Sequence, residues 1–288
     1  MNKLLVIIGE TASGKSAVAM ELARLLDGEI IGADSWTVYR EFNIGTAKPS
    51  AAERAKLPHH LFDIVDAPDG FNAALYKTLA MDAIADVQGR GKLPILVGGT
   101  GLYIDSVVFD FEFMPPGKPG ERERRNGMTM DDLLAEAAAE GVSLEGVDVR
   151  NKRRIIRALE TGGMQPKSSK MTENTIVIGI ATARDDLRDR ITRRVDSMLN
   201  AGLKLEVQGL ALKYGWDVEP MKGIGYREWR EYFEGTQTLE ETRERIISST
   251  MKLAKRQRTW FKRNSSIHWI NNREEIVDIA TTLLNKID

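Results

Sequence analysis

The chain has 288 residues (32.2 kDa), 42% of them apolar and 29% charged, an ordinary globular composition with enough apolar material for a real core and more length than one small domain requires. A peptide, a repeat array and general disorder are excluded. The absence of cysteine removes disulfides, thiolate metal sites and cysteine nucleophiles, three histidines leave little for zinc chemistry, and a net charge of -1 means that any nucleic-acid partner must be met by local patches.

The N-terminal MNKLLVIIGE holds an apolar run of five residues, too short for a signal segment or a membrane span, so a cytoplasmic protein without membrane contact is expected. Leu4 to Ile8 reads as a strand and Ala17 to Leu26 as a helix. Between them, Gly9, Glu10, Thr11, Ala12, Ser13, Gly14, Lys15 and Ser16 match G-x-x-x-x-G-K-[ST] in the strand-loop-helix context that motif requires. The glycines let successive backbone N–H groups point inward, the helix N-terminus adds partial positive charge, Lys15 neutralises phosphate oxygens and Ser16 can hold Mg²⁺. A di- or triphosphate is the expected ligand, and the loop alone does not say which.

A second strand, Glu29 to Ala33, runs into Asp34-Ser35, and after a helical stretch from Leu75 to Val87 a buried strand, Leu93 to Val97, ends in Gly98-Gly99. This alternation predicts an α/β fold, a P-loop NTPase-like parallel sheet flanked by helices. Ligands of such sheets collect outside the carboxyl ends of the strands, where Asp34-Ser35, Asn43 to Pro49 and Val97 to Ile104 land. By residue type alone Asp34 is a helix cap, a Mg²⁺ ligand or a catalytic carboxylate, and Thr100 is a turn residue or a hydroxyl aimed at phosphate. From Met114 to Gly120 runs a breaker cluster, and the charged helical stretches that follow it predict a small helical insertion over 113–172, between a first core segment 1–112 and a continuation 173–288. Thr175 to Ile180 returns to the sheet, while Arg184 to Asn200, Glu240 to Lys262 and Glu274 to Asn285 read as helices.

Two segments are strongly basic. Between Arg150 and Lys170 the charge is +6, with Arg150, Arg154 and Arg157 on one helical face and Ile155 and Leu159 on another; between Thr250 and Arg263 it is again +6, with Leu253, Gln257 and Trp260 on the packing side. Solvated helix faces are the ordinary meaning of such runs, but two of them in a chain of net charge -1 point to RNA phosphates.

Eight motifs, GETASGKS, ADSWTVYR, NIGTAKP, PHHLFD, LVGGTGLYI, RRIIRALE, GIGYREW and LAKRQRTWF, stand in the order found in the tRNA dimethylallyltransferase (tRNA isopentenyltransferase) family, which the chain resembles, in its bacterial type, from about Leu4 to Phe261. The resemblance implies transfer of a dimethylallyl group from dimethylallyl diphosphate to N6 of adenosine 37 in tRNA, with diphosphate released. It implies that the phosphate loop holds the prenyl donor with Mg²⁺, that Asp34 is the general base, and that Thr100 and Arg227 act at the same centre. The tRNA-contacting residues it implies are Asp34, Ser35, Trp36, Thr37, Thr100, Arg122, Arg153, Arg154, Ile155, Ile156 and Arg157, and a monomer is expected. The exocyclic amine of adenine is a poor nucleophile, so a carboxylate accepting its hydrogen bond has a chemical purpose, and a stacked base must be flipped out to reach it. Trp36-Thr37, Arg150-Asn151 and Met251 depart from the common family residues, the 115–149 stretch is short, and no zinc-finger extension follows the basic helix. Competing readings are a P-loop kinase of a small metabolite, a nucleotide-dependent RNA-binding module, and an adenylate isopentenyltransferase acting on free nucleotides. His59-His60 reads as loop structure.

Overall fold

The computed structural model describes residues 3–115, 117–164, 167, 170–271 and 275–286; Pro116 of the breaker cluster and Glu274 of the last predicted helix lie outside the described residues. The chain divides into two compact units, one of residues 1–108 and 171–288, the other Phe109–Lys170. The insertion therefore spans 109–170, a few residues earlier than the breaker cluster suggests at its start, because the helix before it stops at Val108.

In the first unit six parallel strands lie in the order β3-β2-β4-β1-β5-β6, where β1 is Leu4–Gly9, β2 Gly28–Ala33, β3 His59–His60, β4 Leu93–Gly98, β5 Thr175–Ile180 and β6 His268–Ile270. The central four are buried along almost their whole length because helices cover both faces, so the alternation of a half-exposed strand is absent. Ile7 pairs with Val97 on one side and Ile178 on the other, which brings the carboxyl ends Gly9, Ala33, Gly98 and Ile180 into one row. The short edge strands β3 and β6 were not legible. His59-His60 is a strand: His60 Nε2 meets the buried Glu29 carboxylate at 2.7 Å, and His59 Nδ1 meets the Leu57 carbonyl at 2.6 Å.

Helix α1 (Lys15–Leu25) begins at the phosphate loop. Helix α2 (Ala51–Lys56) starts on a Ser50/Glu53 capping box, α3 (Ala73–Gly89) has Asn72 accepting from the N–H groups of Ala74 and Leu75, and α4 (Gly101–Val108) follows the glycine-rich turn. After β5 come α8 (Arg184–Asn200) and α9 (Leu203–Tyr214), then α10 (Arg230–Phe233), α11 (Leu239–Phe261) and α12 (Ile276–Asn285). Leu187, Ile191, Val195 and Met198 of α8 join Val207, Tyr226, Trp229, Ile246 and Ile247 in one core cluster, and Leu5, Ile7, Val18, Leu22, Ile95 and Ile178 build another around β1 and α1.

The second unit packs α5 (Glu121–Gly127), α6 (Met130–Ala139) and α7 (Lys152–Thr161) around Leu133, Ala137, Ile155, Ile156 and Leu159. Thr129 and Asp132 form a capping box on α6, and Asn151 caps α7. Helix α7 thus begins after Arg150, which pairs with Asp148 outside the predicted stripe.

Candidate active site

The phosphate loop leaves β1 at Gly9 and enters α1 through Gly14 at φ +87, with Ala12 also left-handed at φ 67. Alternation of right- and left-handed residues is what turns successive N–H groups to one side and makes an anion-binding concavity. Lys15 and Ser16 line the pocket in front of this loop, with Thr11, Asp34, Thr37, Thr46 and Arg194 around it. Among the described residues Lys15 Nζ reaches only the Glu10 carbonyl, at 3.4 Å. Withdrawal from water pushes its ammonium down to about 8; Asp34 opposes that shift and Arg194 adds to it. Glu10 itself turns away from the pocket, buried in an ion pair with Arg258 at 2.6 Å. Among the described residues no cluster of three His, Cys, Asp or Glu is placed to hold a metal, and the oxygens facing this pocket include the Ser16 hydroxyl and the Asp34 carboxylate.

Arg194 is the residue that sequence reading missed. It lines the pocket with Lys15 and Asp34, burial pushes its guanidinium down, and among the described residues no carboxylate lies within ion-pair distance of it. A signal existed: Leu187, Ile191, Arg194 and Met198 follow one another at spacings of four, three and four, so Arg194 stands in the apolar stripe of α8. Its neighbours Arg190 and Arg193 disguised it as part of a charged face. Arg227, by contrast, is half-exposed and donates to Glu228 at 3.1 Å, and it is not among the residues that line the pocket. The cation facing Lys15 is Arg194, because α8 crosses the carboxyl ends of the strands there while Arg227 sits in a tight turn anchored to Glu228.

Asp34 follows β2. Its Oδ1 accepts from the Trp36 N–H at 3.0 Å, an Asx turn in place of a helix cap, and among the described residues Oδ2 has no hydrogen-bond partner. Thr100 braces the turn that carries Asp34. Its Oγ1 accepts from the Ser35 N–H at 3.0 Å and its own N–H donates to the Ala33 carbonyl at 3.2 Å, so it holds the Asp34 turn in place. The approach needs glycine at 98, where a Cβ would lie 2.0 Å from the Ala33 carbonyl oxygen. Thr37 is buried, its hydroxyl donating to the Asp34 carbonyl at 3.2 Å, and it lines the pocket beside Asp34; Trp36 is half-buried and packs near Gly223.

The loop 43–49 is shaped by Glu206 of α9, whose carboxylate accepts from the N–H groups of Asn43 (3.1 Å), Ile44 (2.8 Å) and Gly45 (3.1 Å) and from the Tyr226 hydroxyl (2.8 Å). Tyr226 is fully buried, and burial beside Glu206 raises its phenol well above the ordinary range. A Cβ at Gly45 would lie 2.5 Å from the Tyr226 ring. Lys48 is taken out of solvent as well, donating to Asp63 at 2.6 Å.

In the second unit the expected RNA-contacting run separates in two. Ile155 and Ile156 are 0% and 2% exposed and form the core of this unit, so they offer RNA nothing; the amphipathic period of α7 puts them inward. Arg122 pairs with Glu160 at 2.5 Å, Arg157 donates to Glu160 and to the carbonyls of Met114 and Pro115, and Lys152 donates to the carbonyls of Asn126 and Met128. Arg153 and Arg154 are exposed on α7. On α11, Lys252, Lys255 and Arg256 are exposed, and Lys262 and Arg263 extend that surface just beyond it, while Ala254, Gln257 and Phe261 are buried.

A family model described as IPP transferase matches residues 37–264. The chain is 43% identical, over 288 residues, to the tRNA dimethylallyltransferase of Roseiflexus castenholzii, with 93% of this chain and 92% of that protein covered. It is 37% identical over 286 residues to the tRNA dimethylallyltransferase of Anoxybacillus flavithermus, covering 96% and 92%. Among solved structures, the full-length tRNA isopentenylpyrophosphate transferase of Bacillus halodurans superposes with a TM-score of 0.77 at 34% identity, over 100% of this chain and 98% of that one.

Proposed function

The chain belongs to the IPP transferase family, and from that premise we propose that it transfers a dimethylallyl group from dimethylallyl diphosphate to N6 of adenosine 37 in tRNA. One observation carries the reading: among the described residues, Lys15 and Arg194, neither neutralised by a carboxylate contact, converge on a pocket lined by a single acid, Asp34, one of whose oxygens has no partner. Two cations and a phosphate loop suit a diphosphate. One carboxylate suits the proton that an amine must lose.

In this reading the loop N–H groups, Lys15 and Arg194 bind the diphosphate and stabilise the charge that grows on it as the C1–O bond breaks. The adenine N6 lone pair forms the new bond to C1, the C1–O electron pair leaves with diphosphate, and the proton released from N6 passes to Asp34 Oδ2. Thr100 keeps the Asp34 turn aimed through its bond to Ser35. A Mg²⁺ ion on the diphosphate with Ser16 would neutralise further charge. The exposed cations of α7 and α11 are the surfaces that would meet tRNA phosphates. A monomer acting in the cytoplasm completes this reading.

The test is incubation with Mg²⁺, labelled dimethylallyl diphosphate and an anticodon stem-loop bearing three adenosines centred on position 37, with free AMP in parallel, followed by nucleoside analysis. Label at N6 of that adenosine alone is expected, and Asp34→Ala should abolish it while leaving RNA affinity within a few fold. Label in AMP would move the protein to free nucleotides, and near-normal turnover by Asp34→Ala would sink the base assignment.

A further inference from the structure

The helix that carries the second basic surface also reaches into the pocket walls. Gln257, 8% exposed, projects from α11 between two loops: its Oε1 accepts from the Thr11 N–H of the phosphate loop at 2.8 Å, and its Nε2 donates to the Gly99 carbonyl at 3.0 Å. One planar amide thereby ties the loop after β1 to the loop after β4. The fit is close enough that a Cβ at residue 99 would lie 2.3 Å from Nε2. The next residue, Arg258, clamps the Glu10 carboxylate and donates to the Thr182 carbonyl at 3.1 Å, beyond β5. From Gly99 the bonds continue through Thr100 to Ala33 and Ser35, on either side of Asp34.

We propose that Gln257 is a positioning residue, which sets the separation between the phosphate loop and the Thr100–Asp34 turn. The inference rests on the transfer reading above. In that reading the donor is anchored through its phosphates to one loop and the acceptor amine through Asp34 to the other, while the reacting atoms must meet at roughly 3 to 3.5 Å, where a misplacement of about 1 Å costs on the order of a hundredfold in rate. The amide fits both partners at once, with an acceptor for Thr11 and a donor for Gly99. A methionine of the same length offers neither bond, and an ionised glutamate offers acceptors only, one of them facing the Gly99 carbonyl. A protonated glutamate restores the pair, with its C=O toward Thr11 and its O–H toward Gly99.

Gln257→Met and Gln257→Glu are compared with the wild-type chain for kcat, for KM of donor and of RNA, for Mg²⁺-dependent binding of inorganic pyrophosphate, and for thermal melting. Gln257→Met should melt cooperatively, keep its RNA KM within about twofold and lose on the order of a hundredfold in kcat. The activity of Gln257→Glu relative to wild type should climb as the pH is lowered from 8 to 5.5, since protonation rebuilds the Gly99 bond. A kcat for Gln257→Met within about threefold of wild type, or a flat ratio for Gln257→Glu, overturns the proposal. Pyrophosphate binding separates this failure from failure of the transfer reading. If wild type transfers nothing, a tenfold weaker pyrophosphate affinity in Gln257→Met still upholds the tie between the loops, and an unchanged affinity overturns it.

Discussion

Replacing Arg194 by methionine should weaken the reaction and strengthen the fold. In the free protein the guanidinium is drawn out of water beside Lys15, without an ion-pair partner among the described residues, so its charge is a cost until an anion arrives. Methionine keeps much of the aliphatic volume on the apolar stripe of α8, and relief of the repulsion and desolvation should raise stability by about 1 kcal/mol, a rise in Tm of about 2 to 4 °C for a unit of this size. Against that, a charge-assisted donor to the diphosphate is worth roughly 1.5 to 3 kcal/mol in the bound state, and about 2.7 to 4 kcal/mol where charge grows in the transition state, or 10² to 10³ in kcat/KM. A third readout follows from the same charge. With Arg194 gone, one of the causes that lowers the Lys15 ammonium disappears, so the pH at which pyrophosphate affinity begins to fall should move to higher values than in wild type. Melting curves, donor kinetics and pyrophosphate titrations across pH test all three. A variant whose Tm drops together with its activity would make Arg194 a structural strut, and an unchanged kcat/KM would remove it from the site.

Wild-type pyrophosphate affinity should itself decline above about pH 8, where the empty-site Lys15 loses its proton, and binding there should take up protons, measurable as heat that depends on the buffer; buffer-independent heat would contradict the lowered Lys15. The sign for folding is the opposite of a paired lysine. The unfolded chain holds the Lys15 proton up to its ordinary 10.5 while the folded chain releases it near 8, so Lys15 makes the empty protein more stable as pH rises through that window. Glu206→Gln places an amide donor against backbone N–H groups that need an acceptor, and should cost about 2 to 3 kcal/mol, lowering Tm by several degrees and raising donor KM through loosening of the 43–49 loop; a wild-type Tm and KM would refute its role. Ile156→Ala should destabilise the second unit by about 2 to 4 kcal/mol, seen as faster proteolysis or amide exchange over 109–170 with pyrophosphate binding unchanged; a loss of RNA affinity without loss of protection would restore Ile156 as an RNA contact.

The phosphate loop and the four central strands were readable from residues 4–180, because each rests on local rules of glycine placement, aliphatic runs and spacing along a single segment, whereas the Asx turn at Asp34 was not, since residue type alone left a helix cap open there. The short strands β3 and β6 were not, since two or three residues carry no period and pair only when a neighbouring strand is already in place. Arg122, Arg153, Arg154 and Arg157 looked alike as charges in a row. The fold separated them by geometry, pairing Arg122 and Arg157 with Glu160 and leaving Arg153 and Arg154 on the exposed side of α7.

What the linear chain determined by itself is the set of groups on offer: a phosphate-loop motif, one carboxylate at a strand end and two basic helices, in the order of one family. What the tertiary structure alone decided is which groups meet. Glu206 reaches loop 43–49 across 163 residues of sequence, Gln257 reaches Thr11 across 246, and Arg194 faces Lys15 only because α8 lays its apolar stripe across the strand ends. No local periodicity encodes such meetings. They follow from packing, which turns one face of a helix toward the pocket and thereby chooses, among many similar side chains, the few that act there.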